Sequence, residues 1–172
     1  MLIVTSRHPY HRARILAREL ARVLPNAEYV PRGVKNIKKL SSLAISHGHN
    51  TIMIVDSVAE QPKFLRFLEV DDGWKWLDVQ IELSDVELQK DLGQKTLLLD
   101  AKIVAESSEA KRLANLLEKL WGLKHVKKAA DTGAFMFVSE GKIEFRASLA
   151  AKIGPVLHIS RVVGEYGKGK AG

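Results

Sequence analysis

The side chains of this sequence best suited to chemistry are arginines, spaced so that they line one side of a helix. Between Pro9 and Pro25, apolar residues recur every three or four positions, and arginines occupy the positions opposite them. Glu19 alone could offset that charge, and the planar guanidinium group binds phosphate through two hydrogen bonds. A solvated charged face has the same period but is typically mixed with acidic residues. The pattern predicts a helix whose outer face binds anions through His11, Arg14, Arg18 and Arg22.

Two neighbouring segments add further cations. The turn after the apolar stretch Leu2–Thr5 leads into this helix, and we expect Thr5 or Ser6 to cap it and Pro9 to lie in its first turn. Free N–H groups at a helix start attract anions. A second helix, predicted over residues 34–47, points its lysines outward. The cations that these segments contribute to the predicted phosphate-binding set are Arg7, Arg12, Arg32, Lys35, Lys38 and Lys39.

The net charge of +7 is polarised along the chain. Residues 1–50 carry nine lysines and arginines against two acidic residues, residues 51–109 carry six against thirteen, and residues 110–172 carry twelve against five. Such separation, with a pI near 9.6, is typical of proteins that bind a polyanion, most often a nucleic acid. No apolar run approaches the roughly 20 residues of a membrane-spanning helix, and no signal peptide is recognisable, so we expect a cytoplasmic protein without membrane contact.

Several classes of catalytic and metal site are excluded or weakly supported. The chain contains no cysteine, so disulfides, thiolate zinc sites and cysteine nucleophiles are impossible. It has neither a nucleophile-elbow serine motif nor a glycine-rich phosphate loop that follows a strand. Four histidines could meet at zinc and the Asp71-Asp72 pair could bind magnesium, but surface roles explain both groups. We predict no catalytic residue, no metal and no cofactor; the four histidines are His8, His11, His47 and His49.

The sequence pattern of the first half of the chain, residues 1–90, predicts strands that alternate with helices and are followed by a hairpin. Residues 51–57 form an apolar run that is short enough for a buried central strand. Two runs that flank residues 71–73 alternate apolar and polar positions, which predicts a hairpin with one acidic, wet face. We expect residues 84–95 to connect this half to the next, with both halves in one sheet or closely packed.

The sequence pattern of the second half, residues 96–165, predicts a shortened version of the strand and helix order of the first half. A strand over residues 96–104 precedes a helix that ends at Gly122, and a hairpin about Glu140-Gly141 and a last strand over residues 156–163 follow. The apolar spacing of this strand and helix partly repeats that of the first strand and helix. Residues 166–172 are expected to form a flexible basic tail.

Several short motifs stand in a characteristic order along the chain: Ile3-Val4-Thr5-Ser6-Arg7, Pro25-Asn26, Arg32-Gly33, the strand of residues 51–55 and Gly154-Pro155. Their order and spacing resemble the Brix domain, and the resemblance covers residues 2–165 within a single domain of residues 1–172. It is closest to the short archaeal Brix proteins. Gly73-Trp74-Lys75 stands where the family often has Gly-Pro-Thr, so any contact made by that motif differs here.

The resemblance implies two similar α/β halves, each related to the anticodon-binding domain of class IIa aminoacyl-tRNA synthetases. It also implies a non-catalytic role in ribosome biogenesis, in which the protein binds ribosomal RNA precursor and assists its processing or folding. The acidic middle segment would contact ribosomal or assembly proteins, and a monomer is the simplest expectation. Two alternatives stay open: a protein-interaction module whose arginine face docks an acidic partner, and a metal-dependent hydrolase.

Overall fold

Ten strands form one sheet and three helices pack against it in the computed structural model, which describes residues 1–91, 101–147, 151–165 and 170–171. The helices are α1 (His11–Val23), α2 (Ile37–Ser46) and α3 (Ala110–Trp121). The strands are β1 (Leu2–Thr5), β2 (Glu28–Tyr29), β3 (Thr51–Val58), β4 (Gln61–Val70), β5 (Trp74–Glu87), β6 (Lys102–Ala105), β7 (Ala134–Ser139), β8 (Lys142–Ala147), β9 (Ala151–Gly164) and β10 (Lys170–Ala171).

The strand order is β2-β1-β3-β4-β5-β9-β8-β7-β6, and β10 pairs with β5. At one end β1 runs parallel to β2 and β3, and then β3, β4 and β5 are antiparallel neighbours. At the other end β6 runs parallel to β7, and then β7, β8 and β9 are antiparallel neighbours. The two ends meet where β5 and β9 pair. The expectation that both halves share one sheet is confirmed.

The two faces of the sheet are covered differently. We call the side packed by α1 and α3 the first face; its core includes Leu16, Phe67, Leu117 and Phe145, all almost fully buried. Burying each such side chain contributes about 1.5–3 kcal/mol. The second face carries α2, whose Leu40 packs on β1, β3 and β4, and a smaller cluster of Val104, Phe135 and Phe137 lies at the other end.

Gly154 allows α1 to approach the sheet closely. A Cβ atom at this position would lie 2.9 Å from Cβ of Phe145 and 3.0 Å from Cγ1 of Val23, the last residue of α1. The Gly154-Pro155 pair was expected to precede the last strand, but it lies inside β9, which begins at Ala151. Glycine is therefore required here for packing against a helix rather than for a turn.

Two helix starts differ from the sequence prediction. Neither Thr5 nor Ser6 caps α1, because Thr5 is buried at the end of β1 and the Ser6 N–H donates to the Val55 carbonyl. The helix begins only after Tyr10, which provides no side-chain cap. The second helix begins at Ile37 rather than at residue 34, since the Asn36 side chain accepts a hydrogen bond from the Lys39 N–H at 2.9 Å.

The connection between the halves also begins later than predicted. β5 continues to Glu87, and its buried Val86 pairs with Leu157 of β9. Part of the predicted connection and the start of the strand expected over residues 96–104 lie outside the described residues, as do residues 166–169 and 172 of the predicted tail. The helix end predicted at Gly122 is confirmed, with this glycine in the left-handed conformation at φ 67°.

Candidate nucleic-acid interface

The outer face of α1 carries the arginines that its sequence spacing predicted. Leu16 and Leu20 on the inner side are fully buried, whereas Arg14, Arg18 and Arg22 are exposed. The guanidinium of Arg18 lies 5.5 Å from the centroid of the Tyr29 ring. No carboxylate of the described residues forms a salt bridge with these three arginines. The charge of Arg22 acts on Glu19 only at longer range.

Glu19 does not offset that charge on the outer face. Its side chain is turned into the protein, where it is 6% exposed and accepts a hydrogen bond from the Gln89 N–H at 2.8 Å. Burial raises the pKa of Glu19, while hydrogen bonds from the N–H groups of Gln89 and Lys90 oppose that shift. The single acid of the helix thus attaches α1 to the segment that follows β5.

Arg12 has a structural contact that its sequence position did not reveal. Its Nη2 donates to the Val86 carbonyl at 2.8 Å and to Oδ2 of Asp91 at 3.1 Å. These partners are more than 70 positions away along the chain, so helical periodicity carried no signal for them. His11, one residue earlier, is exposed. Arg12 therefore differs from Arg14, Arg18 and Arg22 of the same helix, because it donates hydrogen bonds to a distant segment of the described chain.

A second group of cations lies where the parallel strands β1 and β2 end. Arg32 donates from Nε to the Lys35 carbonyl at 3.3 Å, and Lys35 donates from Nζ to the Pro31 carbonyl at 3.3 Å. Burial lowers the pKa of Arg32, and the charge of Arg7 lowers it further, against a raising effect of Asp56. The charges of Arg7 and Arg32 therefore act on one another at these strand ends, with Asp56 as the nearby acid.

The structure divides the predicted set between the two sides of the sheet. The arginines of α1 lie on the outside of a helix on the first face, whereas Lys38 and Lys39 are exposed on α2, which packs on the second face. Arg7 and Arg32 lie at the strand ends between these two helices. A single flat surface does not contain all ten predicted residues.

The histidines do not gather into one site. His47 and His49 both contact Glu28, with Nδ1 to Oε2 at 2.9 Å and Nε2 to Oε2 at 3.2 Å, and hydrogen bonds from both rings lower the pKa of Glu28. This group lies beside Met1 at the start of β1, while His8 follows its end. The four histidines therefore do not meet at one point, and the described residues contain no group of three side chains able to hold a metal.

A cluster on the second face was missed by the sequence analysis. Three cations surround the carboxylate of Glu144: the Nζ atoms of Lys142 and Lys152 lie 2.8 and 3.4 Å from Oε1, and Arg146 donates to Oε2. Burial alone would raise the pKa of Glu144, but hydrogen bonds and charge from Lys142 and Arg146 lower it to about 2. The alternation Lys142-x-Glu144-x-Arg146 in a predicted strand was the available signal.

Comparison with curated proteins finds archaeal relatives, whereas no family model matches the chain. A probable Brix domain-containing ribosomal biogenesis protein of Pyrococcus horikoshii is 35% identical over 98 residues, which are 56% of this chain and 43% of the relative. The relative of that name from Methanopyrus kandleri is 28% identical over 132 residues, 74% of this chain and 69% of the relative. The chain thus spans under half the length of the Pyrococcus relative that it matches.

Two solved structures share the fold. A probable ribosomal biogenesis protein from Aeropyrum pernix superposes with a TM-score of 0.79 at 21% identity, over 94% of this chain and 97% of that one. Mil, an archaeal Imp4-like protein, superposes with a TM-score of 0.67 at 18% identity, over 96% and 100%. The class defined here is a mixed α/β protein with the Imp4-like fold. Within that class, the resemblance to the archaeal Brix domain family is confirmed.

Proposed function

We propose that this protein is a non-catalytic ribosome biogenesis factor that binds ribosomal RNA precursor and assists its processing or folding. The observation that carries the proposal is the exposed row of Arg14, Arg18 and Arg22 on α1, with no salt-bridge partner among the described carboxylates. The names of the archaeal relatives support the biological setting. None of the described helices is long and apolar enough to cross a membrane.

The charge of this row favours phosphate as its ligand. Surface arginines that lack carboxylate partners keep their full charge for an incoming polyanion, and each phosphate contact releases counterions. Arg7, Arg32 and the lysines of α2 would extend the contact around the edge of the sheet. Arg12 is the weakest member of the predicted set because its Nη2 already donates to Val86 and Asp91.

The proposal includes an internal duplication within a single domain of residues 1–172. At each end of the sheet, two strands pair in parallel and their connection includes a helix on the first face: α1 between β1 and β3, and α3 between β6 and β7. The second strand of each pair is then followed by two antiparallel neighbours. The connection from β1 to β3 also contains β2 and α2, which the other end lacks among the described residues. We infer from this shared pairing that residues 1–90 and 96–165 are two copies of one α/β unit. A relationship of each unit to the anticodon-binding domain of class IIa synthetases is part of the proposal.

The acidic middle segment is proposed to face protein rather than RNA. Asp71 and Asp72 are exposed at the tip of the β4–β5 turn, where carboxylates repel phosphate. Ribosomal and assembly proteins are commonly basic, so this tip suits them by charge. We propose that the protein acts in the cytoplasm as a monomer.

The test compares the affinity for a transcribed, structured ribosomal RNA fragment against salt in two variants. We expect the triple change Arg14→Gln, Arg18→Gln and Arg22→Gln to lower the slope of log affinity against log salt by about three, since each lost phosphate contact removes about one. The charge-matched control is Lys75→Gln, Lys111→Gln and Arg112→Gln, and its slope should stay near that of the wild type.

Three outcomes would contradict the proposal. An unchanged slope in the arginine variant would mean that the arginine row is a solvated face that does not contact RNA. Displacement of RNA by poly-glutamate at equal charge concentration would favour a site for an acidic protein. Cleavage of the RNA that is abolished by chelator would favour a metal-dependent hydrolase.

A further inference from the structure

Three cations share one carboxylate at the far end of the sheet, so the cluster retains excess positive charge. Lys142, Arg146 and Lys152 all contact Glu144, and no other described carboxylate forms a salt bridge with them. Their side chains are 38%, 26% and 40% exposed, whereas that of Glu144 is 3% exposed. The carboxylate therefore lies beneath the cations, and the surface presented to solvent is positive.

Strand register places a further cation, Lys102 of β6, in line with Arg146 and Lys152, with the buried Phe135 of β7 between them. Lys102 of β6 is opposite Phe135 of β7, which is opposite Arg146 of β8, which is opposite Lys152 of β9. Neighbouring strands lie about 4.8 Å apart, so this row spans roughly 14 Å between its outer strands. Lys102 is exposed and takes part in no salt bridge among the described residues.

The positions of these cations are fixed by their surroundings. The guanidinium of Arg146 lies 4.9 Å from the centroid of the Phe137 ring, and Phe137 packs in the same cluster as Phe135. Glu144 fixes the three charged groups from below. Charged groups that are already ordered lose less conformational entropy when a ligand binds.

We propose that Lys102, Lys142, Arg146 and Lys152 form a second site for the backbone phosphates of RNA, on the second face of the sheet. This inference rests on the proposed function. RNA is the ligand that the charge favours, because three strands, β6, β8 and β9, contribute cations to this side of the sheet. Phe135 and Phe137 between them are buried and offer no apolar surface.

The second site is separate from the arginine row of α1. In the described residues α1 and α3 pack on the first face, and α2 on the second face packs against β3, β4 and β5. The surface of β8 and β9 around Glu144 is left without a helix above it. A rigid RNA duplex cannot contact α1 and this surface together, so the two sites bind different segments of a folded RNA.

The experiment measures the salt dependence of binding to the same RNA fragment. We expect Lys142→Gln with Lys152→Gln to lower the slope by about two while leaving Arg146 to pair with Glu144. Lys102→Gln, which does not touch Glu144 and therefore does not threaten the fold, should lower it by about one. The matched control is Lys75→Gln with Lys111→Gln, whose slope should not change.

The outcomes separate this inference from the proposed function. Wild-type slopes in both Lys102→Gln and the double lysine variant would overturn the second site, and the function would stand if the α1 arginine variant still lost its slope. Failure of the wild type to bind RNA would overturn both. If the slope falls in the lysine variants but not in the α1 arginine variant, this site is supported and RNA does not bind at α1.

Discussion

Two buried carboxylates, Glu19 on α1 and Glu144 on β8, organise the charges around them in opposite ways. Glu19 turns inward to a backbone N–H, and the arginines of its helix are exposed on the other side. Glu144 gathers three cations around itself. The pKa of Glu19 is raised by burial, whereas that of Glu144 is lowered to about 2, against the effect of burial, by Lys142 and Arg146.

The difference shows that exposed cations are available to a polyanion for different reasons in the two regions. On α1 they are available because the only acid of the helix faces the core. On β8 and β9 they are available because one acid cannot neutralise three cations. Buried ion pairs are costly to break, so the β8 cluster combines a structural role with a surface charge, while the α1 row carries charge alone.

The largest effect on stability should come from Glu144→Gln. This change leaves three cations around a neutral amide, and we expect the free energy of unfolding at pH 7 to fall by about 2–4 kcal/mol, somewhat below the usual cost for fully buried pairs because the cations are partly exposed. Urea denaturation measures it. Glu140→Gln, an exposed acid in the adjoining turn, is the matched control and should have almost no effect.

The acid dependence of stability, compared between the wild type and Glu144→Gln, tests the same cluster. The pKa of Glu144 is about 2 in the fold against 4.5 when unfolded, so its contribution is complete above pH 4.5 and is lost as the pH falls toward 2. We expect about 3 kcal/mol of the wild-type acid sensitivity to be absent from Glu144→Gln. Equal acid sensitivity in both proteins would mean that Glu144 does not hold its cations in solution.

A smaller effect is expected from Arg12→Ala. This change removes the hydrogen bonds to Val86 and Asp91 and should cost about 1 kcal/mol, measured by thermal or urea unfolding. Arg14→Ala, two residues later and exposed, should change stability by less than about 0.5 kcal/mol. Equal losses of stability in the two variants would mean that Arg12 contributes no more to the fold than the solvent-facing Arg14.

The smallest effect is expected from Glu19→Gln. Because the folded state raises the pKa of Glu19, ionisation of this group reduces stability as the pH rises above its unfolded pKa. The amide oxygen of glutamine can still accept from the Gln89 N–H. We therefore expect a gain of less than about 1 kcal/mol at pH 7 by urea denaturation, with Glu118→Gln on α3 as control. A loss would show that the buried carboxylate is stabilising.

The periodic spacing of apolar residues predicted most of the helices and strands. The apolar faces of α1 and α3, the buried strand β3 and the β4–β5 and β7–β8 hairpins follow from spacings of 3.6 and 2 residues within short windows. The start of α1 was missed because Thr5 and Ser6 serve the end of β1, and the end of β5 was missed because its pairing partner is β9. Both depend on residues far away in the sequence.

The candidate site was predictable only in part. Exposure of Arg14, Arg18 and Arg22 follows from helical geometry, but the division of the cations between two faces requires the positions of α1 and α2 on the sheet. The inward turn of Glu19 and the contact of Arg12 with Val86 are likewise tertiary. The Glu144 cluster needed the register of β8 with β9, which no local pattern specifies.

The central position of β9 has a consequence for the synthesis of the protein. β9 begins at Ala151, yet it lies between β8 and β5, whose last residue is Glu87. At about 5–20 residues per second, a ribosome needs several seconds to pass from one to the other, and during that time the long edge of β5 has no neighbour in the nascent chain. Unpaired edges of this kind aggregate. Nascent chains arrested before residue 151 therefore expose a strand edge that a chaperone would need to protect.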